Sequence, residues 1–202
     1  MADSDTDAVR AVLDGDTDRY AELVDRYQGP TLRLAFSLLN NYDDARDVSQ
    51  DAFVSAYQAL GRFRGAARFS TWFYRIVVNK CHDALRARLR RPQAVSGVGE
   101  PDPGANGAGW FMVDVEDPAA GPRDDVASRE LAHELQRAIQ DLSAHQRMVF
   151  MLHHMNGHSL EDVAGMMGCR VGTVKSHLFR AVESLRRRLA PRAGTGGTSW
   201  TS

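Results

Sequence analysis

Between Pro92 and Asp125 the chain places six glycines and five prolines in 34 residues. No helix or strand interior tolerates that density, because proline removes a backbone donor and glycine carries the largest ordering cost. The stretch divides the sequence into two bodies that must each bury a core of their own. It reads as a flexible linker of net charge −6, with seven acidic residues against one basic. Trp110, Phe111 and Met112 interrupt it as a local hydrophobic tether or a transient docking element. The expected organisation is a helical domain over residues 1–91, the linker over 92–125, a second helical domain over 126–190 and a disordered tail over 191–202.

Both flanking bodies carry helical periodicity, so the predicted fold class is all-α: two small helical domains, the second containing a helix-turn-helix. In the first, Leu23, Val24, Tyr27, Leu34, Ala35 and Leu38 recur at helical spacing, with a kink or break expected at Gly29-Pro30. A second helix is predicted over roughly 44–59. Its Ala45, Val48, Ala52, Phe53, Ala56 and Leu60 line one side, and Asp44, Asp47, Gln50, Asp51 and Gln58 line the other. After Gly61 and a basic loop, Ser70 is the expected cap of a long helix reaching Arg86 to Arg91.

Beyond the linker, Leu131, Leu135, Ala138, Ile139 and Leu142 mark one amphipathic helix. Ser143 with Gln146 forms a capping box for a second, which ends at Gly157. Ser159 with Asp162 caps a third, carrying Leu160, Val163, Ala164 and Met167, that stops at Gly168; a last helix runs from about Val171 to Leu189.

Charge shows what these bodies could bind. The whole chain is close to neutral at −1, which argues against a protein that simply coats duplex. Residues 61–91, however, carry nine basic groups and one acidic, and residues 126–202 carry ten and six. In the last helix Val174, Leu178, Ala181, Val182, Leu185 and Leu189 share the packing side. Thr173, Ser176, Arg180 and Arg187 face away from it, flanked by Lys175 and His177. Preceded by the turn Gly168-Cys169-Arg170, this is the pattern of a helix that enters a major groove, touching both base edges and phosphates. Arg186, Arg187 and Arg188 lie 100° apart and suit phosphates better than one base pair.

The segment Arg62-Phe63-Arg64-Gly65-Ala66-Ala67-Arg68-Phe69, followed by Trp72, Phe73 and Tyr74, interleaves arginine with aromatics. That mixture suits unpaired bases, which stack on aromatic faces while arginine neutralises the backbone. Trp72, Phe73, Ile76 and Val77 lie on one broad apolar side, which leaves the loop as the better contact. Arg75, Asn79, His82, Arg86 and Arg90 form a polar stripe able to follow a phosphate backbone. The acidic face at Asp44, Asp47 and Asp51 repels DNA and points to solvent or to a protein partner with a basic surface.

These stretches resemble the sigma-70 family of RNA polymerase sigma factors, in its extracytoplasmic-function (ECF) group. The resemblance lies in DDARDVSQDAFVSAYQAL (residues 43–60), FRGAARFSTWFYRIVVNKCHDALR (63–86) and LSAHQRMVFMLHHMNGHSLEDVAGMMGCRVGTVKSHLFRAVESLRRRL (142–189). With flanking helices it covers roughly 150 of the 202 residues. It implies that Asp47, Gln50, Asp51 and Phe53 dock on core RNA polymerase. It implies that Arg62, Phe63, Arg64, Arg68, Phe69, Ser70, Trp72, Arg75 and Asn79 capture and melt the −10 element of promoter DNA. Arg170, Thr173, Lys175, Ser176, His177, Arg180 and Arg187 would read the duplex −35 element, and the linker would thread the polymerase channel. Leu160 and His177 depart from the residues usual at their positions, and the linker is long. An anti-sigma factor is an implied further partner.

No catalytic residue, cofactor or metal is expected. His153, His154, His158 and Cys169 lie near one another but do not match a common zinc spacing, and there is no nucleophile elbow or phosphate loop. Cys81 and Cys169 form neither a disulfide framework nor a CxxC motif, which fits a reducing cytoplasm. No apolar run reaches the ~18 residues of a membrane span, so direct membrane insertion is not expected. The competing reading is a conventional helix-turn-helix regulator that binds a duplex operator without polymerase.

Overall fold

A computed structural model describes residues 4–90 and 125–190, with side chains over 4–88 and 133–190. The linker with Trp110, Phe111 and Met112, the tail, and the side chains of Arg90, Arg91 and Leu131 lie outside the described residues. Every regular element among those described is helical: α1 (Ser4–Leu13), α2 (Tyr20–Leu39), α3 (Tyr42–Ala59), α4 (Phe69–Arg90), α5 (Asp125–Gln140), α6 (Ala144–Phe150), α7 (Leu160–Met167) and α8 (Val171–Leu189).

α2, α3 and α4 pack on one another, and α1 lies against α2. Small residues on α3, Ala45, Ala52 and Ala56, are fully buried and let it approach its neighbours closely. The space beside them is filled by an aromatic cluster in which Phe73 meets Phe53 at 4.8 Å, Tyr27 at 5.6 Å and Phe69 at 5.8 Å between ring centroids. α2 runs unbroken through Pro30. The expected break does not occur because Leu23 on one side of the proline and Thr31, Leu34 and Ala35 on the other are all buried, and their packing outweighs one lost backbone bond. Asn40 ends α2 in the left-handed conformation at φ 50°, and Asn41 starts α3 by accepting the Asp44 N–H at 2.9 Å.

α4 begins one residue before the expected cap. The Arg68 carbonyl accepts the Trp72 N–H at 3.2 Å, so Ser70 lies inside the first turn. Burial of Phe69, 3% exposed, fixes the entry of the chain and shifts the start.

α1 has no counterpart in the sequence reading. Ala8, Val9 and Val12 bury its inner face, and Asp5, only 5% exposed, accepts from both the Arg26 guanidinium and the Tyr27 hydroxyl of α2.

In the second body α8 packs on α5, α6 and α7. Gln146 closes its half of the capping box by accepting the Ser143 N–H at 3.2 Å, and Ser159 Oγ accepts the Asp162 N–H at 3.0 Å. After Phe150 the helix widens over Met151–Met155, where the Asn156 N–H reaches back five residues to the Met151 carbonyl at 3.0 Å. Gly157 at φ 72° and Gly168 at φ 64° end the helices before and after Ser159; only glycine adopts these conformations without strain.

The two bodies touch. α7 lies against α4 and α6 against α2, with the Arg147 guanidinium donating to the Ser37 carbonyl at 2.5 Å and the Tyr74 ring 4.8 Å from that of His158.

Candidate nucleic-acid interfaces

Three surfaces carry the predicted functional residues. On α8, Arg170 precedes the first turn and its carbonyl accepts the Thr173 N–H at 2.9 Å. Val174, Ala181 and Leu185 are buried, so the helix cannot rotate, and Arg170, Thr173, Lys175, Ser176, Arg180 and Arg187 all stand exposed. The Ser176 hydroxyl donates to the Gly172 carbonyl at 3.0 Å, leaving its oxygen lone pairs outward. Two predicted residues behave differently. His177 turns aside, half-buried, and stacks on His145 of α6 at 5.5 Å with planes 17° apart. Arg188, expected to contact phosphate, is exposed like Arg186 and Arg187 but pairs with the Asp141 carboxylate just after α5.

Phe179 is the residue the sequence reading missed. It stands 70% exposed beside the Ser176–Arg180 face. Its signal was an aromatic group set off the apolar stripe of Val174, Leu178, Ala181 and Leu185, a position that packing does not explain.

On the first body, Gly65 at φ 69° turns a short loop that leaves Arg62, Arg64 and Arg68 exposed around a partly buried Phe63. Phe63 meets Trp72 at 5.3 Å and Phe69 at 6.0 Å. Phe69 is thus a core anchor that pins the loop rather than a free stacking surface, whereas Phe63 and Trp72 are only partly buried. Ser70 is half-buried beside them. One to three turns further along α4, Arg75 and Asn79 are exposed, on the same helix but without the aromatic neighbours. The structure therefore brings the three loop arginines and two partly open rings into one patch.

The acidic side of α3 presents Asp47 and Gln50 to solvent, while Asp51 lies 3.8 Å from Lys80 of α4. Phe53 is partly buried against Phe73, and its carbonyl accepts the Tyr20 hydroxyl at 2.7 Å. Burial there pushes the Tyr20 phenol up to about 12, so it remains a donor. Next to it Val54 and Tyr57, 55% and 43% exposed, line an apolar groove with Thr17, Tyr20 and Ala21. They too escaped the sequence reading, although both lie off the alanine seam of α3.

Among the described residues no group of three or more His, Cys, Asp or Glu side chains is placed to hold a metal ion, and no helix is long and apolar enough to cross a membrane.

Comparison with known proteins gives these surfaces a family. Residues 23–91 match Sigma-70 region 2, and residues 132–185 match Sigma-70, region 4. The RNA polymerase sigma-H factor of Pseudomonas aeruginosa is 36% identical over 195 residues, covering 94% of this chain and 95% of its own. The chain belongs to the sigma-70 family, in its extracytoplasmic-function group. The ECF RNA polymerase sigma-E factor of Escherichia coli K12 is also 36% identical, over 91% of this chain and 93% of its own. This sigma factor is a transcription initiation factor and not an enzyme. Its fold is that of CnrH, solved with the cytosolic domain of CnrY, at TM-score 0.63 and 24% identity over 92% of this chain and 96% of that one. The sigma factor RpoE of Bartonella quintana, solved with the anti-sigma factor NepR, gives TM-score 0.60 and 22% identity over 86% and 98%.

Proposed function

We propose that this sigma factor guides core RNA polymerase to promoters by reading a duplex −35 element with α8 and holding unpaired −10 bases on the loop before α4. The observation that carries the reading is chemical contrast between two surfaces of one chain. α8 offers a straight, polar, ring-poor face suited to base edges and phosphates in a groove. The 62–72 patch offers arginines around the open edges of Phe63 and Trp72, suited to bases already out of the stack. Stacking is worth roughly 1–3 kcal/mol per base, comparable with the few kcal/mol needed to unstack a step, so such contacts can offset part of the cost of opening.

Arg180 with Thr173 and Ser176 would specify bases, Arg170, Lys175 and Arg187 would hold phosphates, and Phe179 would meet a thymine methyl or a sugar. Arg75 and Asn79 would follow the backbone of the melted strand. Asp47, Gln50 and Asp51, with the groove at Phe53, Val54 and Tyr57, would dock on a polymerase surface of basic rim and apolar centre. Domain boundaries near residues 91 and 126 follow from the same division. The 34 residues of the linker reach at most ~120 Å fully extended, so the two bodies can serve separate elements. A cytoplasmic setting and an anti-sigma partner that covers these faces complete the proposal.

The deciding experiment is transcription in vitro with purified core polymerase and a panel of promoter fragments. The reading predicts start-site-specific transcripts that require both core and this chain. Tight, specific binding to a duplex operator without core, and no directed transcript, would instead identify a conventional regulator.

A further inference from the structure

Where the first body meets the second, three imidazoles from three helices form a column. His82 of α4 stands 6.4 Å from His145 in the first turn of α6, and His145 stands 5.5 Å from His177 of α8, near-parallel to it. A fourth, His158, is 6% exposed and packs its ring on Tyr74 of α4. His177 Nδ1 and His158 Nε2 are buried without a hydrogen-bond partner. Such a set is compatible with neutral rings and poorly compatible with cations. Cations 5–6 Å apart repel, and a proton added at His177 Nδ1 or His158 Nε2 is a buried donor with nothing to accept it.

The surrounding charges reinforce this. Arg86 on α4 and Arg180 on α8 face the column, and Asp83 is the carboxylate beside it, 3.9 Å from Arg86. Around His158, Asp162 of α7 favours the cation and Arg68 opposes it.

We infer that this contact is a proton-sensitive latch: neutral His82 and His177, packed on either side of His145, hold the two bodies together, and protonating them releases one from the other. Release would let the two bodies move apart on the linker, as serving two separate promoter elements in the proposed function would require. That consequence rests on the proposed function; the latch itself does not.

Burial, aided by the neighbouring cations and by His145, holds His82 and His177 below the ordinary histidine value, and burial does the same for His158. A histidine depressed in the closed form stabilises that form above its open-state value, near 6.5, and loses the contribution as pH falls through its closed-state value. The latch is therefore shut at pH 7.5 and weakens below about 6.5.

Small-angle X-ray scattering of the full chain at pH 7.5 and 5.5, with far-UV circular dichroism on the same samples, tests this. The wild type should expand at pH 5.5 with its helicity intact, the opening constant rising about tenfold per pH unit for each proton taken up. His82→Asn and His177→Gln should blunt the expansion, and His145→Lys, which puts a fixed cation between them, should open the chain already at pH 7.5. His145 is exposed, so its replacement spares the core. A wild type of constant size, expansion unchanged in both neutral variants, or expansion accompanied by loss of helicity would each overturn the latch. A parallel transcription assay at pH 7.5 separates the two ideas, because failure to direct transcripts while the pH-dependent opening persists sinks only the sigma-factor reading.

Discussion

Arg180 and Arg187 are exposed on the same helix yet differ in what surrounds them, and their substitution should separate two kinds of DNA contact. Arg180 neighbours Thr173, Ser176 and Phe179 in the middle of α8, whereas Arg187 sits in a run of arginines at its end. Arg180→Ala should cost about 1–3 kcal/mol of promoter binding and relax preference at one position of the −35 element. Arg187→Ala should weaken all sequences alike and lower the slope of log affinity against log salt by about one. Holoenzyme titrations on wild-type and substituted promoters over a salt series measure both. The cysteines make a similar contrast. Burial pushes the Cys81 thiol up to about 12, so it stays protonated and shielded at neutral pH. Cys169, in the turn before α8, is half-exposed. Alkylation at pH 8 followed by peptide mass mapping should label Cys169 and leave Cys81 unmodified until the chain is unfolded.

Helix ends decide how α8 is presented. Gly168 adopts φ 64° with nothing within 4 Å of where a Cβ would stand, so the cost of a side chain there is backbone strain alone. Gly168→Ala should destabilise the second body by roughly 1 kcal/mol, and Gly168→Asn by less, in urea melts. At the other end of the molecule, Asp5 ties α1 to Arg26 and Tyr27. Asp5→Ala should cost about 1–3 kcal/mol, chiefly because the half-buried Tyr27 hydroxyl loses its acceptor, and should raise amide exchange throughout α1. These two elements were unequally readable. The Gly168 stop and the Ser159 cap were plain in the sequence, since both are local chemistry. α1 was not, because its reason to fold is a carboxylate partnered by residues 21 and 22 positions away.

Across the molecule the side chain with most reach is Arg147. Its guanidinium donates to the carbonyls of Ile139 at 3.1 Å and Leu142 at 2.9 Å, to that of Gln140, and across the interface to Ser37. It both closes the end of α5 and joins the bodies. Arg147→Ala should lower the thermal midpoint by several degrees, through about 1–3 kcal/mol of lost hydrogen bonding, and expose the α2–α6 contact to exchange. Arg147→Lys should not restore it, because one ammonium cannot reproduce a planar fork reaching four carbonyls.

The candidate surfaces were legible to different degrees for the same reason. α8 could be read nearly whole, because a buried stripe of Val174, Ala181 and Leu185 fixes which residues point away. The loop before α4 was read with the right composition but with Phe69 as a contact, and only the meeting of Tyr27, Phe63, Trp72 and Phe73 around it shows that it is an anchor. Arg188 and His177 are engaged by partners 47 and 32 positions distant, Asp141 and His145. Periodicity, caps and breakers act within one or two turns, so the chain's own order determined most of its helices, though not α1 or the unbroken course of α2, together with its division into two bodies and most of the sides they expose. Which polar groups are already occupied, and that the bodies meet through histidines and Arg147, depended on contacts between distant segments. Those were decided only when the tertiary structure brought the segments together.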